Sequence, residues 1–126
     1  MEKYLLRHMS YKERISLTKL RLSNHPLMIE TGRHLKLDIL QRYCPFCPNI
    51  IETEQHFLLH CEIYSVVREV LLQEISIDFP LFNLLCEKDK FIALMTNEGF
   101  MPLTARFTHK AFEIRSFLIN QPKNHE

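Results

Sequence analysis

The sequence predicts a small, mostly α-helical fold. Three observations predict it. Apolar residues recur at helical spacing in segments on both sides of the middle of the chain. Gly is scarce at 2 and Pro modest at 6, which argues against disorder and low complexity. One stretch rich in Cys and His, residues 44 to 61, stands between the helical segments as a point around which they can organise. With 126 residues, 46% of them hydrophobic, the chain is expected to form a single domain over residues 1 to 126 with its own core.

The first helix is expected over about residues 9 to 23. Ser10 suits its N-cap and Glu13 completes a capping box. Ile15, Leu20 and Leu22, with Leu6 and Tyr11 nearby, form an imperfect apolar stripe. Asn24-His25-Pro26 ends the segment, because Pro26 lacks a donor and biases His25 away from helix. Residues 27 to 34 hold Gly32 and read as a short extended piece or turn. Residues 35 to 43 read as a helical turn, with Leu37, Ile39 and Leu40 directed inward.

Pro45 and Pro48 keep Cys44 and Cys47 in a tight turn. Thr53 suits the cap of a helix that carries His56, runs toward residue 60 and breaks near Cys61. A helical C-terminal part follows, over about residues 63 to 120. Its first helix, about 63 to 74, carries Val66, Val67, Val70 and Leu71. A short helix starts near residue 79 and includes Phe82, Leu85 and Cys86, the last expected to be buried. Another spans 88 to 96, with Phe91, Ile92, Leu94 and Met95 inside. Asn97-Glu98-Gly99 is a break. The last helix, about 102 to 120, repeats Phe107, Ala111, Ile114 and Leu118 at helical spacing, with Phe117 beside them. The tail QPKNHE should fray.

Charge and hydropathy limit the function classes. Sixteen basic and 15 acidic residues give a formal net charge of +1, which by itself is no nucleic-acid signature. No apolar run approaches the ~20 residues of a membrane span. The N-terminal phrase MEKYLLRHMSYKERISL does not read as a secretory signal. An intracellular location, nucleus or cytoplasm, is therefore expected. In a reducing compartment the 4 cysteines read as thiols or metal ligands instead of disulfides.

The spacing Cys44-x2-Cys47-x8-His56-x4-Cys61 supplies three thiolates and one imidazole. That set suits one structural Zn2+ per chain, with no coordination position left for water. His60 is the competing ligand, but its adjacency to Cys61 would demand a sharp bend for both to converge. The other reading is that all 4 cysteines of the chain are free thiols and His56 is an ordinary helix residue. Phe46, Phe57, Leu58 and Tyr64 are expected to pack near the metal phrase.

Two phrases, LRLSNHPLMIETGR and YCPFCPNIIETEQHFLLHCEIYSVVR, carry a likeness to a known family. Residues 20 to 68 resemble the zinc-binding region near the end of non-LTR retrotransposon reverse transcriptases and of proteins derived from them. The match rests on the Cys-Cys-His-Cys order, on Arg33, Ile51-Glu52, His56-Phe57-Leu58-Leu59 and Arg68. The resemblance implies that Cys44, Cys47, His56 and Cys61 hold zinc and that the region helps engage nucleic acid. The chain has no room for a polymerase palm and shows no paired-aspartate site. It resembles a fragment or remnant of such a protein, without polymerase activity.

The expected function is thus a zinc module binding RNA or single-stranded DNA. Arg33, Lys36, Arg42 and Arg68 are the candidate phosphate contacts, and Tyr43 and Phe46 the candidate stacking residues. The competing expectation is a protein-interaction or scaffold module, dimerising through its C-terminal helices. No residue pattern calls for catalysis, so no enzyme activity is expected.

Overall fold

The computed structural model describes residues 9–121 of the chain. Leu6 and residues 122 to 126 of the tail lie outside the described residues. Regular structure among the described residues is helical, apart from one isolated antiparallel bridge between Tyr43 and Ile51.

Helix α1 spans Tyr11–Arg21. Its expected capping box is present. The Glu13 amide donates to Ser10 Oγ at 3.1 Å, and the Ser10 amide donates to Glu13 Oε1 at 2.9 Å. The buried face is Ser16, Leu17 and Leu20, while Tyr11 and Leu22 are exposed. The apolar stripe read from the sequence was therefore placed too far round the helix. The face that docks is the one turned to the last helix, and Leu22 lies past the helix end as its C-cap.

Helix α2, Met28–His34, replaces the extended piece or turn expected there. At 7 residues it is too short to persist alone. Its first turn is anchored from outside. The Met28 amide donates to Glu52 Oε1 at 2.7 Å and the Ile29 amide to the Glu52 carbonyl at 3.1 Å. Gly32 lies against the stem of Arg42, where an added Cβ would stand 2.4 Å from Arg42 Cγ.

The helical turn before the cysteines is a 3-10 turn at Ile39–Gln41. Leu37 is half-buried, but Ile39 and Leu40 are exposed, contrary to the inward packing expected of them. Here the chain is fastened by Arg42, whose guanidinium donates to the carbonyls of Leu37 and Ile29 at 2.9–3.1 Å. Side-chain burial at Ile39 and Leu40 is not needed to hold it.

Helix α3 is Glu54–Leu59, and after a 3-10 turn at Glu62–Tyr64 helix α4 runs over Ser65–Asp78. Arg68, Leu71 and Ile75 form its buried face, leaving Val66 and Val70 on the exposed side. A 3-10 stretch at Pro80–Leu84 buries Phe82 and leaves Leu85 and Cys86 exposed. Cys86 is thus the N-cap residue of helix α5, Glu87–Thr96, and not a buried helical thiol. Within α5, Leu94 is buried and Ile92 exposed. Helix α6, Met101–Ile119, is the longest and packs against α1, α4 and α5. Phe107 and Ala111 are buried along it, while Phe117 and Leu118 near its end are exposed.

Phe57 of α3 joins the metal phrase to this helical frame. Its ring lies 5.0 Å from Tyr64, 5.6 Å from Phe107 and 5.1 Å from Phe112. Aromatic pairs at such separations add to their burial.

Candidate metal centre

Residues 42 to 52 form a short hairpin-like knuckle. The Cys44 amide donates to the Ile50 carbonyl at 2.7 Å, and the Glu52 amide donates to the Arg42 carbonyl at 2.9 Å. The turn at its tip is closed by the Ile50 amide on the Cys47 carbonyl at 3.4 Å. Pro48 presets its first central position, and Asn49, at φ 63°, supplies the left-handed residue next to it. This turn chemistry places Cys44 and Cys47 on one side of the knuckle.

The other two residues come from α3 and its exit. Thr53 caps the helix, its Oγ1 accepting from the His56 amide at 3.1 Å. The His60 and Cys61 amides both donate to the His56 carbonyl, at 2.9 and 2.8 Å. That shared acceptor ends the helix and folds Cys61 back beside His56. His60 is exposed, points away and lies 3.3 Å from Glu87.

One ligand atom from each of Cys44, Cys47, His56 and Cys61 lies within 4.8 Å of every other. Cys61 Sγ is 3.8 Å from Cys44 Sγ and 3.8 Å from Cys47 Sγ. A disulfide would need about 2.05 Å. Tetrahedral zinc with Zn–S bonds of about 2.3 Å places its sulfurs about 3.8 Å apart. All four residues are buried or nearly so, and His56 Nε2 is buried with no hydrogen-bond partner. An unpartnered buried nitrogen costs about 1–3 kcal/mol unless something satisfies it. The donor set and the orphaned nitrogen both fit a metal ion at the centre of the cluster.

The thiols are electrostatically coupled. The hydrogen bond from Cys61 pulls the Cys44 thiol down to about 4, against the opposing effect of burial. Cys61 is pushed up by the same contact and by burial. A lowered thiol pKa suits Cys44 to the thiolate form that ligates a metal.

Around the cluster stands a layer of buried charge. Glu52 is 1% exposed and receives both Nε and Nη2 of Arg115, at 3.0 and 2.7 Å. Its Oε2 also lies 4.0 Å from Cys44 Sγ. Arg68 is buried and donates to the Leu58 and Phe57 carbonyls at 2.7 and 3.0 Å, closing the last turn of α3. His25 is buried and bonded to Glu54 at 2.7 Å, which holds the Glu54 carboxyl below its ordinary range. Tyr64 is fully buried at the same place, and burial, with Glu52 next, pushes its hydroxyl up. Sequence spacing points to none of these partners. Arg115 lies 63 residues from Glu52, and only the fold brings them together.

The residues expected to contact nucleic acid are divided by the fold. Arg42 and Arg68 hold carbonyls of the protein, so their guanidinium groups are occupied. Arg33 is exposed and paired with Glu30 at 2.7 Å. Lys36 and Tyr43 are exposed, and Phe46 is half-buried against the core.

No helix among the described residues is long and apolar enough to cross a membrane. Comparison with models of known protein families, with curated proteins and with solved structures finds no match. The likeness to the reverse-transcriptase zinc region therefore rests on the residues of the motif alone.

Proposed function

We propose that the chain is a structural zinc-binding module that engages single-stranded nucleic acid, RNA or DNA. The observation that carries the zinc reading is the convergence of ligand atoms of Cys44, Cys47, His56 and Cys61 within 4.8 Å, with Cys61 Sγ 3.8 Å from both other sulfurs and a buried, unpartnered nitrogen on His56. Zinc, when bound, cross-links the knuckle to α3 and supplies no open position for chemistry. Cys44 and Cys47 hold it from the knuckle turn, and His56 and Cys61 from α3 and its exit. Thr53, Arg68 and the Glu52–Arg115 pair keep those ligands in place from outside.

The nucleic-acid part of the reading is supported by the likeness of residues 20 to 68 to a region that accompanies reverse transcriptases, and by exposed cations. In this reading the chain is a fragment or remnant of such a protein and carries no polymerase chemistry. Its test is titration of zinc-loaded protein into short labelled single strands and a duplex of equal length, followed by fluorescence anisotropy. Saturable binding of a single strand, lost on chelation, is the expected result. The absence of binding to any strand at low salt contradicts the reading.

A second reading is a protein-interaction module. It is favoured by the exposed apolar side chains Ile77, Phe79, Leu81 and Leu84 around the end of α4. Light scattering of the zinc-loaded protein tests it, with a dimer expected under this reading and a strict monomer against it.

A further inference from the structure

We infer that the single strand is held in the groove between α1 and α6, along the basic side of α1. This inference rests on the nucleic-acid reading above and assigns it a surface.

The near-zero net charge conceals a strong segregation. Residues 9 to 36 carry six basic side chains against two acidic ones, a formal +4. Residues 101 to 121 carry three against one, but Arg115 is buried on Glu52 and Arg106 and Lys110 lie toward α4, so the free charge beside the groove belongs to α1. These two stretches hold α1 and α6, which pack against each other. Residues 37 to 61, which include the knuckle, carry one basic and three acidic side chains, a formal −2 before any thiolate is counted. Residues 62 to 100 carry three against seven, a formal −4. A polyanion is attracted to the stretch that holds α1 and repelled by residues 37 to 100.

Two of the three acidic groups on these stretches are engaged by neighbours. Glu13 closes the capping box of α1 and Glu30 pairs with Arg33, while Glu113 is exposed on the groove wall with the His109 imidazole at 3.5 Å. Lys12 and Lys19 are exposed, and among the described residues neither has a carboxylate partner. With Ser16 they occupy positions i, i+4 and i+7, one stripe of α1. Ser16 and Lys19 line the groove from α1, and His109, Ser116 and Phe117 line it from α6. Its volume of about 750 Å³ lies within the about 300–1,000 Å³ of small-ligand clefts, enough for a base as well as a phosphate. Phe117 stands on its wall 65% exposed, an aromatic face with no burial to explain it. Cations tracking a backbone beside an exposed aromatic ring are the working parts of a sequence-tolerant single-strand site. Lys12 and Lys19 meet phosphates, and Phe117 stacks on an unpaired base.

The test is anisotropy with labelled oligo-uridine RNA, oligo-thymidine DNA and a duplex, using zinc-loaded full-length protein over a range of salt. Three doubly substituted proteins are compared: Lys12→Glu with Lys19→Glu, Lys88→Glu with Lys90→Glu, and Arg33→Gln with Lys36→Gln. Phe117→Ala is measured beside them. The substituted side chains are exposed apart from the half-buried Lys90, and zinc content and far-ultraviolet dichroism check that each variant is folded. The Lys12 and Lys19 variant should lose about tenfold or more in single-strand affinity, with its salt slope reduced by about 1.4 for two lost phosphate contacts. Phe117→Ala should lose about tenfold through stacking. The other two pairs should stay within about twofold. Loss in the Arg33 and Lys36 variant with the Lys12 and Lys19 variant unchanged overturns the groove while sparing the nucleic-acid reading. Equal loss in the Lys88 and Lys90 variant overturns it as a net-charge effect. Equal binding of the duplex overturns the single-strand occupant, and no binding by the unaltered protein overturns both readings together.

Discussion

At Glu52 a single carboxylate ties three parts of the chain together: the knuckle, the first turn of α2 and the far end of α6. Its removal leaves Arg115 charged, buried and unpaired. Glu52→Gln is therefore expected to cost about 3–5 kcal/mol in urea unfolding of the zinc-loaded protein. Replacing both partners, as Glu52→Leu with Arg115→Met, should cost less than the sum of the single changes, because the uncompensated charge disappears. An additive double-mutant cycle would contradict this role. Gly32 is a second residue whose identity is fixed by a neighbour. Gly32→Ala drives a methyl into the Arg42 stem and should cost about 1–3 kcal/mol in the same measurement. The sequence marks Glu52 only through the resemblance and Gly32 only as a turn residue, and neither role follows from it. The four candidate ligands do, because their spacing is local and their chemistry narrow. Ion pairs such as Glu52–Arg115 are written in two distant places and have meaning only after folding.

Among the elements, the helices themselves were legible and their buried faces less so. The capping box at Ser10 and Glu13, the Thr53 cap and the break before α6 depend on a few adjacent residues, and the structure contains each of them. Helix α2 was missed because its stability comes from Glu52, not from its own sequence. Val66, Val70 and Phe117, read from the sequence as parts of the helices' apolar pattern, are exposed for a different reason. These helices hold more apolar residues than one packed face can take, and periodicity alone does not say which stripe is covered. Phe107 and Phe117 lie on the same helix and measure the difference. Phe107 is 2% exposed and in contact with the Phe57 ring. Phe107→Ala should cost about 3–5 kcal/mol. Phe117→Ala should change stability by no more than about 0.5 kcal/mol, whatever it does to binding. Equal losses in thermal or urea unfolding would contradict the assigned faces.

For the whole molecule, the metal cluster and the helical frame are one construction. Phe57 and Arg68 join the ligand-bearing helix to α6 and α4, and Glu52 joins the knuckle to α6. Metal removal should therefore reach beyond the knuckle. A chelator is expected to lower the unfolding midpoint and to broaden the transition of the remaining helices. Chelation that leaves the midpoint unchanged would contradict that coupling. The helical class and the ligand set were legible because each follows from short-range spacing. The charge segregation was present in the same sequence, but it gained a surface only when α1 was seen to lie on α6. The most direct test of the central claim is elemental analysis of reduced protein purified without added metal, with Cys44→Ser prepared alongside. One zinc per chain, lost in the variant together with cooperative unfolding, is the predicted result. Folded, reduced protein that contains no zinc and takes up none when it is supplied would contradict it.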